Sequence, residues 1–256
     1  EKDGAASATS TQLPRTVEPA AGAAMTRPSE PGPGAGGGFS VQATASATRS
    51  PSVACRCGRW KKQLDDAGIM GGTFDPIHLG HLRAAESARE ELGLQEVVFV
   101  PAGLPPHRQA PLASALDRFT MTTLATAGHP GFRTSPCELR REGPSYTVDT
   151  VAAFREEWPG VELVLIVGSD TFPELAGWRE RDRLLSLCTL AVVARPDEGA
   201  AGSAPMAGSV AVARVTAAGL PISGTGIRER IAAGRSVRYL VPDGVAEYIA
   251  KRGLYR

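Results

Sequence analysis

The sequence predicts an α/β fold in which a mostly parallel sheet carries helices on both of its faces. Two observations lead to this prediction. From Ala67 onward, apolar strand patterns alternate with helical patterns, an order typical of βαβ units. The runs Val97–Val100 and Val161–Val167 are continuously apolar, as strands are when both faces of a sheet are covered.

The predicted elements follow one another to the end of the chain. The first strand ends at Ile69-Met70, although the polar pair Asp65-Asp66 before it is unusual in a central strand. The other predicted strands are Val97–Val100, Phe132–Leu139, Val161–Val167, Thr189–Ala194 and Val210–Val215. The predicted helices, bounded by Gly, Pro and capping residues, are Leu79–Leu92, Ser114–Ala127, Tyr146–Trp158, Gly224–Ala233 and Pro242–Lys251. This order predicts a Rossmann-like, doubly wound sheet, which binds ligands outside the carboxyl ends of its strands.

The first quarter of the chain has a different composition. Residues 1–64 are rich in Ala, Gly, Ser, Thr and Pro, and positions 32–38 read Gly-Pro-Gly-Ala-Gly-Gly-Gly. Such a segment has too little apolar surface to offset the entropy lost on ordering. We therefore predict a disordered N-terminal extension over residues 1–64 and a single folded domain over residues 65–256.

Charge and cysteine content narrow the classes of function. The 256 residues include 28 basic and 27 acidic side chains, a formal charge of +1. This balance argues against a nucleic-acid or membrane-surface partner, and no apolar run reaches the roughly 18 residues that span a membrane. The cysteines lack metal-ligand spacing, so we expect reduced thiols and a cytoplasmic protein. The sequence leaves a homo-oligomer open.

The stretch GGTFDPIHLGHL, residues 71–82, follows the first predicted strand. Gly71 and Gly72 permit a tight turn and the close approach of a ligand to the main chain. His78 and His81 are neighbours on a helix face at a helix N-terminus, where free N–H groups attract anions. A zinc site would need a third ligand, and a metalloprotease would need a Glu between the histidines. The stretch therefore predicts an anion site.

A second helix start, Ile222-Ser-Gly-Thr-Gly-Ile-Arg228, combines two hydroxyls with a guanidinium. Ser223 or Thr225 is expected to cap the helix. Capping does not require Arg228, whose planar fork suits phosphate oxygens. This segment therefore predicts a polyphosphate site.

These two strings resemble the HxGH and ISxTxxR motifs of the nucleotidyltransferase superfamily, and the first is most similar to the form found in bacterial nicotinate-nucleotide adenylyltransferases. The resemblance extends over nearly all of residues 68–256, and it implies that the domain predicted over residues 65–256 is a nucleotidyltransferase catalytic domain. It implies catalytic roles for His81, His78 and Arg228. It also implies an ATP site formed by Gly71, Gly72, Thr73, Phe74, His78, His81, Ser223, Thr225 and Arg228.

The resemblance also implies a site for the second substrate. Pro144-Ser145-Tyr146-Thr147 is similar to the family's PSYT motif, and Gly168-Ser169-Asp170 to its GxD motif. Trp178, in the loop after the fourth strand, would stack on a pyridine ring. The implied substrate-binding residues are Tyr146, Thr147, Gly168, Asp170, Trp178 and, near the phosphate or ribose, His107.

The reaction implied by the resemblance is the transfer of the adenylyl group of ATP to nicotinate mononucleotide, which gives deamido-NAD and pyrophosphate. No Ser, Cys or Lys stands beside a base as an activated nucleophile, so the mononucleotide phosphate is expected to attack directly. Mg²⁺ would arrive with ATP, held mostly by phosphate oxygens and water, without a metal site made by the protein alone.

Three alternatives remain at this stage. A sister enzyme would use nicotinamide mononucleotide or another phosphorylated acceptor. A catalytically silent regulator would bind ATP without releasing pyrophosphate. An aminoacyl-tRNA synthetase fragment would share the His-x-Gly-His signature, but it would also need a lysine-rich KMSKS loop and a basic surface for tRNA, and the sequence has neither.

Overall fold

The computed structural model describes residues 64–105, 110–194, 212–216 and 220–256. The strands are β1 Asp66–Gly72, β2 Glu96–Pro101, β3 Phe132–Thr134, β4 Glu162–Gly168, β5 Thr189–Ala194 and β6 Val212–Thr216. The helices are α1 Leu79–Glu91, α2 Ala115–Thr126, α3 Thr147–Glu157, α4 Arg181–Leu187, α5 Gly224–Ala232 and α6 Asp243–Arg252. A short 3₁₀ helix covers Phe172–Gly177.

The six strands form one sheet in the order β3-β2-β1-β4-β5-β6, and every pair of neighbours is parallel. The strand order reverses direction between β1 and β4. Their register pairs Ile69 with Leu165, so the carboxyl ends of both strands lie side by side. The predicted doubly wound fold is confirmed, and its switch point lies where Gly72 and Gly168 end their strands.

Helices cover both faces of the sheet. One buried cluster joins the sheet to α1, α2, α5 and α6 through side chains such as Ala85, Met121 and Ile227. The other joins it to α3 and α4 through side chains such as Phe154 and Leu184. The continuous apolar strands β2 and β4 are explained by this double coverage, as predicted.

The polar start of β1 also has a structural reason. The Asp66 carboxylate accepts the Gln95 N–H at 2.9 Å, and the Gln95 side chain donates to Asp65 at 3.2 Å. These bonds join the start of β1 to the start of β2. The two aspartates therefore satisfy a turn at the amino-terminal edge and do not interrupt the buried part of the strand.

The sequence predictions differ from the structure in two places. The strand predicted over Phe132–Leu139 ends at Thr134, because Pro136 has no N–H to continue the ladder and the chain turns. The sequence predicts no helix between β4 and β5, but the structure has the 3₁₀ helix and α4 there, with Trp178 in the loop between them. Their short length hides the helical period on which sequence prediction depends.

Several other predictions concern residues outside the described ranges. They are the disordered extension predicted over residues 1–64, of which only residue 64 is described, the role of His107, and the start of the last strand at Val210. The extension and the domain boundary therefore stay predictions. Cys137 and Cys188 are buried and form no disulfide, and burial raises the pKa of Cys188 to about 11. Within the described residues, no helix is both long and apolar enough to cross a membrane.

Candidate active site

The turn between β1 and α1, residues 73–78, belongs to the stretch GGTFDPIHLGHL and is called the signature turn below. It is built around a buried phenylalanine. Phe74 is 3% exposed and has a left-handed φ of 51°. A side chain at Gly72 would meet the Phe74 ring at 2.9 Å, whereas a side chain at Gly71 would meet nothing within 4 Å. Gly72 is thus required by packing. Gly71 has open space beside its main chain at the end of β1.

The two histidines of the signature lie together at the start of α1. Their rings stack with centroids 3.7 Å apart, and His81 also meets the edge of Phe74 at 5.1 Å. His78 is 6% exposed, whereas His81 is partly exposed. A side chain at Gly80 would approach the His78 ring at 3.0 Å. The glycine of the motif therefore makes room for the stacked pair.

A main-chain hydrogen bond fixes the chemistry of His81. The His78 N–H donates to Nδ1 of His81 at 3.3 Å. In a neutral imidazole, one nitrogen that accepts leaves the other as the N–H donor. His81 can therefore present Nε2–H to an anion. In the same turn, the Leu79 N–H donates to the Leu240 carbonyl, so this helix start has fewer free donors than the sequence predicted.

The second motif begins α5, and its three polar residues have separate roles. The Ser223 hydroxyl caps the helix by accepting the Gly226 N–H at 3.1 Å. The Thr225 hydroxyl instead accepts a hydrogen bond from Nη2 of Arg228 at 3.1 Å. Nη1 of Arg228 donates to the Asp75 carbonyl at 2.8 Å. Ser223 is thus the cap, and Thr225 orients the arginine.

The structure brings the two motifs into direct contact. Besides the bond from Arg228 to Asp75, a side chain at Gly224 would lie 3.1 Å from the Asp75 carbonyl. An open cleft of about 370 Å³ runs along this junction, lined by Leu112, Thr225, Arg228, Glu229, Ala232, Tyr255 and Arg256. The start of α5 and the turn before α1 are therefore neighbours in the fold, beside the carboxyl end of β1.

The motif after β4 lies across the switch point. The exposed Asp170 side chain folds back over Gly168, where any side chain would meet the carboxylate at 2.5 Å. The Thr171 N–H donates to the Gly168 carbonyl at 3.0 Å and tightens the turn. An acceptor carboxylate is thus held at the end of β4, next to the signature turn on β1.

The segment Pro144–Thr147 leads into α3, with one correction to the sequence prediction. Tyr146 is the N-cap, with φ −101° and ψ 135°, and not a residue of the first turn. The amides without acceptors inside the helix are therefore those of Thr147 and Val148. The buried Ser145 hydroxyl accepts the N–H groups of Gly103 and Leu104 at 3.1 and 3.3 Å, which ties α3 to the loop after β2.

Trp178 lies near this helix start. It is partly buried against the same cluster as Tyr146 and Phe172, and the next residue, Arg179, places its guanidinium 4.6 Å from the centre of the Tyr146 ring. The structure thus brings Tyr146 and Trp178 to one region on the α3 side of the sheet. His107 belongs to the loop residues that are not described.

The sequence analysis missed Arg118, which joins the two halves of the site. This arginine of α2 is 1% exposed and donates to the Thr73 carbonyl at 2.7 Å and to the Gly103 carbonyl at 3.1 Å. It therefore connects the signature turn to the loop that Ser145 holds. A signal was present, because Arg118 shares its helical face with Met121, Thr122 and Ala125, and a charged residue in an apolar stripe needs buried acceptors.

Glu138 is a second buried ionisable group that the sequence analysis missed. It is 6% exposed and accepts the Thr150 hydroxyl of α3 at 2.6 Å. Burial raises the pKa of Glu138 above its ordinary value, against the opposing hydrogen bonds from Thr150 and Ser145 and the charge of Arg141. Glu138 therefore holds the first turn of α3 in place through its hydrogen bond with Thr150.

The fold and the site together define a nucleotide-binding protein of the doubly wound class. A family model described as cytidylyltransferase-like matches residues 69–230. The chain belongs to this cytidylyltransferase-like family.

Two curated relatives share nearly half of their aligned residues with this chain. The chain is 47% identical over 197 residues to a probable nicotinate-nucleotide adenylyltransferase of Moorella thermoacetica, which covers 74% of this chain and 91% of the relative. It is also 47% identical over 189 residues to a protein of the same description from Thermus thermophilus, covering 74% and 98%.

Solved structures agree on the fold. The Plasmodium falciparum nicotinic acid mononucleotide adenylyltransferase complexed with NaAD superposes with a TM-score of 0.61 at 17% identity, covering 75% of this chain and 97% of that one. A putative nicotinate-nucleotide adenylyltransferase of Vibrio parahaemolyticus gives a TM-score of 0.56 at the same identity.

Proposed function

We propose that this protein is a nucleotidyltransferase that transfers the adenylyl group of ATP to nicotinate mononucleotide and forms deamido-NAD and pyrophosphate, a step of NAD biosynthesis. The observation that carries the proposal is the bond from Arg228 to the Asp75 carbonyl. It joins an HxGH helix start and an ISxTxxR helix start at the switch point of the sheet. Relatives that are 41–47% identical and are described as probable nicotinate-nucleotide adenylyltransferases support the same reaction.

The chemistry needs no covalent intermediate with the protein. A phosphate oxygen of the mononucleotide attacks the α-phosphorus of ATP, and the bond from the α-phosphorus to the bridging oxygen breaks to release pyrophosphate. Nε2–H of His81 donates to an α-phosphate oxygen, where negative charge develops. Arg228 and the start of α5 hold the departing pyrophosphate. His78 supports His81 through ring stacking and its main-chain N–H.

The mononucleotide occupies the other side of the switch point. The Thr147 and Val148 amides face its carboxylate, and Trp178 and Tyr146 cover its pyridine ring. Asp170 accepts hydrogen bonds from a ribose, with Gly168 beneath it. His107 is assigned to the phosphate or ribose on the basis of the motif alone.

ATP enters with a divalent cation, which we propose to be Mg²⁺. Among the described residues, no group of three or more His, Cys, Asp or Glu side chains is placed to hold a metal ion. The Asp75 oxygens already accept hydrogen bonds from the protein. In this proposal the cation is held mostly by phosphate oxygens and water, and it neutralises charge on the triphosphate.

The proposed partners are ATP and nicotinate mononucleotide, without nucleic acid, and the proposed compartment is the cytoplasm. The near-neutral charge of +1 and the reduced thiols of Cys137 and Cys188 support these assignments. Whether the enzyme acts as a homo-oligomer is left to measurement.

A coupled pyrophosphate assay with a panel of acceptors tests the proposal. The purified protein is given ATP, Mg²⁺ and either nicotinate mononucleotide, nicotinamide mononucleotide or phosphopantetheine. We expect pyrophosphate release to be fastest with nicotinate mononucleotide. A faster reaction with another acceptor would identify a sister enzyme, and ATP binding without pyrophosphate release from any acceptor would identify a regulator.

A further inference from the structure

The Asp75 carboxylate lies at the centre of the signature turn, and the protein itself occupies it. One oxygen accepts the Leu112 N–H at 2.8 Å, and the other accepts the Ala113 N–H at 3.1 Å and the Tyr255 hydroxyl at 2.7 Å. The Asp75 carbonyl receives Arg228. One residue thus joins the signature turn, the segment before α2, the tail after α6 and the phosphate-site arginine.

Tyr255 reaches Asp75 because the chain reverses after α6. Gly253 ends the helix with a φ of 64°, and the Leu254 N–H donates back to the Ile249 carbonyl at 3.1 Å. Tyr255 itself has a left-handed φ of 64°, which is uncommon for a residue with a side chain and persists where contacts hold it. Leu254 and Tyr255 both pack against the first core cluster, so the tail is anchored on the domain.

The charges around Asp75 explain why a hydroxyl suits this place. Burial and the Asp75 carboxylate raise the pKa of Tyr255 well beyond its ordinary value, so the hydroxyl stays a proton donor. The guanidinium of Arg118 lies close enough to Asp75 to interact electrostatically while it donates to the neighbouring Thr73 carbonyl. The negative charge of Asp75 is thus satisfied from several sides without a ligand.

We propose that Tyr255, acting through Asp75, is a positioning residue for Arg228 and the signature turn. The tail after α6 is then part of the transfer machinery. Loss of the hydroxyl leaves Asp75 held by two amides, lets the turn shift, and moves the carbonyl that aims Arg228. This inference rests on the proposed function, because it assigns Arg228 to the leaving pyrophosphate.

Tyr255→Phe tests the inference, and the chain offers a matched control. Tyr248 of α6 is also partly buried and donates to a carboxylate, Asp117 of α2, at 2.8 Å. That bond does not touch the signature turn. Tyr255→Phe is expected to lower kcat for pyrophosphate release by roughly tenfold with a smaller change in the KM for ATP. Each variant loses one hydrogen bond to a carboxylate, so Tm is expected to fall by similar amounts in the two. Tyr248→Phe is expected to keep the wild-type kcat.

A double-mutant cycle separates positioning from simple stability. In an Arg228→Ala background, Tyr255→Phe should lower kcat by less than about twofold, because residues that act as a unit are not additive. Asp75→Asn places an amide against the Leu112 N–H and should lower kcat by about as much as Tyr255→Phe. It therefore also tests the inference if Tyr255→Phe does not fold.

The outcomes are distinct. A wild-type protein that releases no pyrophosphate would overturn the proposed function. A wild-type protein that is active, with a Tyr255→Phe variant whose kcat equals that of Tyr248→Phe, would overturn the positioning role alone. A kcat loss that is fully retained in the Arg228→Ala background would also overturn it, because Tyr255 would then act by another route.

Discussion

At the scale of single residues, the signature is a packed unit more than a set of exposed ligands. Phe74 is buried against the edge of His81, and His78 is buried beside it, so both hold the His81 ring in place. The proposed mechanism assigns contact with the triphosphate to His81, Arg228 and exposed main chain near Gly71. Small changes under the stacked pair should therefore affect turnover more than stability.

Replacement of His81 by alanine should reduce kcat by roughly 10²–10³, the range for the loss of one preorganised donor to a developing charge. ATP binding should weaken far less, because the helix starts and Arg228 remain. Steady-state kinetics together with ATP titration measure both quantities. His129→Ala is the control, since His129 contacts Glu86 and Phe132 away from the site. A His81→Ala variant that is as active as this control would refute the assignment.

Gly80→Ala tests the stacked pair without removing either ring. The new methyl would lie 3.0 Å from the buried His78 ring, while alanine in place of glycine favours the helix by about 1 kcal/mol. We expect Tm to change little and kcat to fall by roughly tenfold. Gly244→Ala, also at the second residue of a helix but 3.9 Å from its nearest neighbour, should raise Tm and leave kcat unchanged. Equal kinetics in the two variants would show that the stacking geometry has no catalytic role.

At the scale of elements, α3 offers the most specific feature of the site. Its N-cap Tyr146 places the Thr147 and Val148 amides at the positive end of the helix dipole. Three buried side chains hold this helix start against the loop after β2. Ser145 accepts the Gly103 N–H, Arg118 donates to the Gly103 carbonyl, and Glu138 interacts with both Thr150 of α3 and Gly103. The element is therefore fixed in position before a substrate binds.

This arrangement should distinguish an acid from an amide on the pyridine ring. A carboxylate gains from the dipole and from charge-assisted hydrogen bonds, so kcat/KM for nicotinate mononucleotide should exceed that for nicotinamide mononucleotide by at least about tenfold. Thr147→Pro removes one amide donor, and proline is favoured at the first helical position after an extended residue such as Tyr146. This variant should lower the ratio, and Thr147→Ala, which keeps the amide, should not. An unchanged ratio in both variants would exclude a carboxylate site at this amide.

Glu138 gives α3 a pH dependence whose sign follows from burial. Because the pKa is raised in the folded state, folding holds a proton that the unfolded chain releases, and stability falls as pH rises from about 4.5 through the folded pKa. Glu138→Gln lacks this titration. Urea unfolding at about pH 4 and pH 8 should show the variant gaining free energy of unfolding, relative to the wild type, at the higher pH. A difference that is independent of pH would mean that Glu138 titrates alike in both states.

At the scale of the whole molecule, the parallel order β3-β2-β1-β4-β5-β6 determines where the motifs meet. The ends of β1 and β4 flank the switch point, α1 and α5 start on one side of it, and α3 starts on the other. Segments as distant in sequence as Asp75 and Tyr255 are thereby in hydrogen-bond contact.

Deletion of residues 1–60 should leave Tm and pyrophosphate release nearly unchanged, because the composition of that segment cannot support a core. A thermal melt and the coupled assay on the shortened protein measure the two properties. A large loss of either would mean that the segment packs on the domain, and the predicted extension would then be wrong.

The sequence by itself determined the fold class, most of the element positions and the two phosphate-site motifs. These depend on local information: apolar runs, helical spacing, glycine at turns, and hydroxyl, histidine and arginine side chains at helix starts. The sequence prediction missed α4, since a helix of two turns leaves little periodicity to detect. It also extended β3 too far, past the point where Pro136 ends the ladder.

Only the tertiary structure decided which residues of the motifs pack or hydrogen-bond with one another and which more distant residues hold them in place. Gly80 makes room for a ring and Thr225 orients Arg228, although sequence placed both simply within motifs. Glu138 and Tyr255 could not be selected from spacing, and the place of Arg118 in an apolar stripe does not identify its acceptors. Their partners are distant in the chain and come into contact only in the folded domain. A buried charge or hydroxyl is stable only beside its acceptor, and that proximity is a property of the fold.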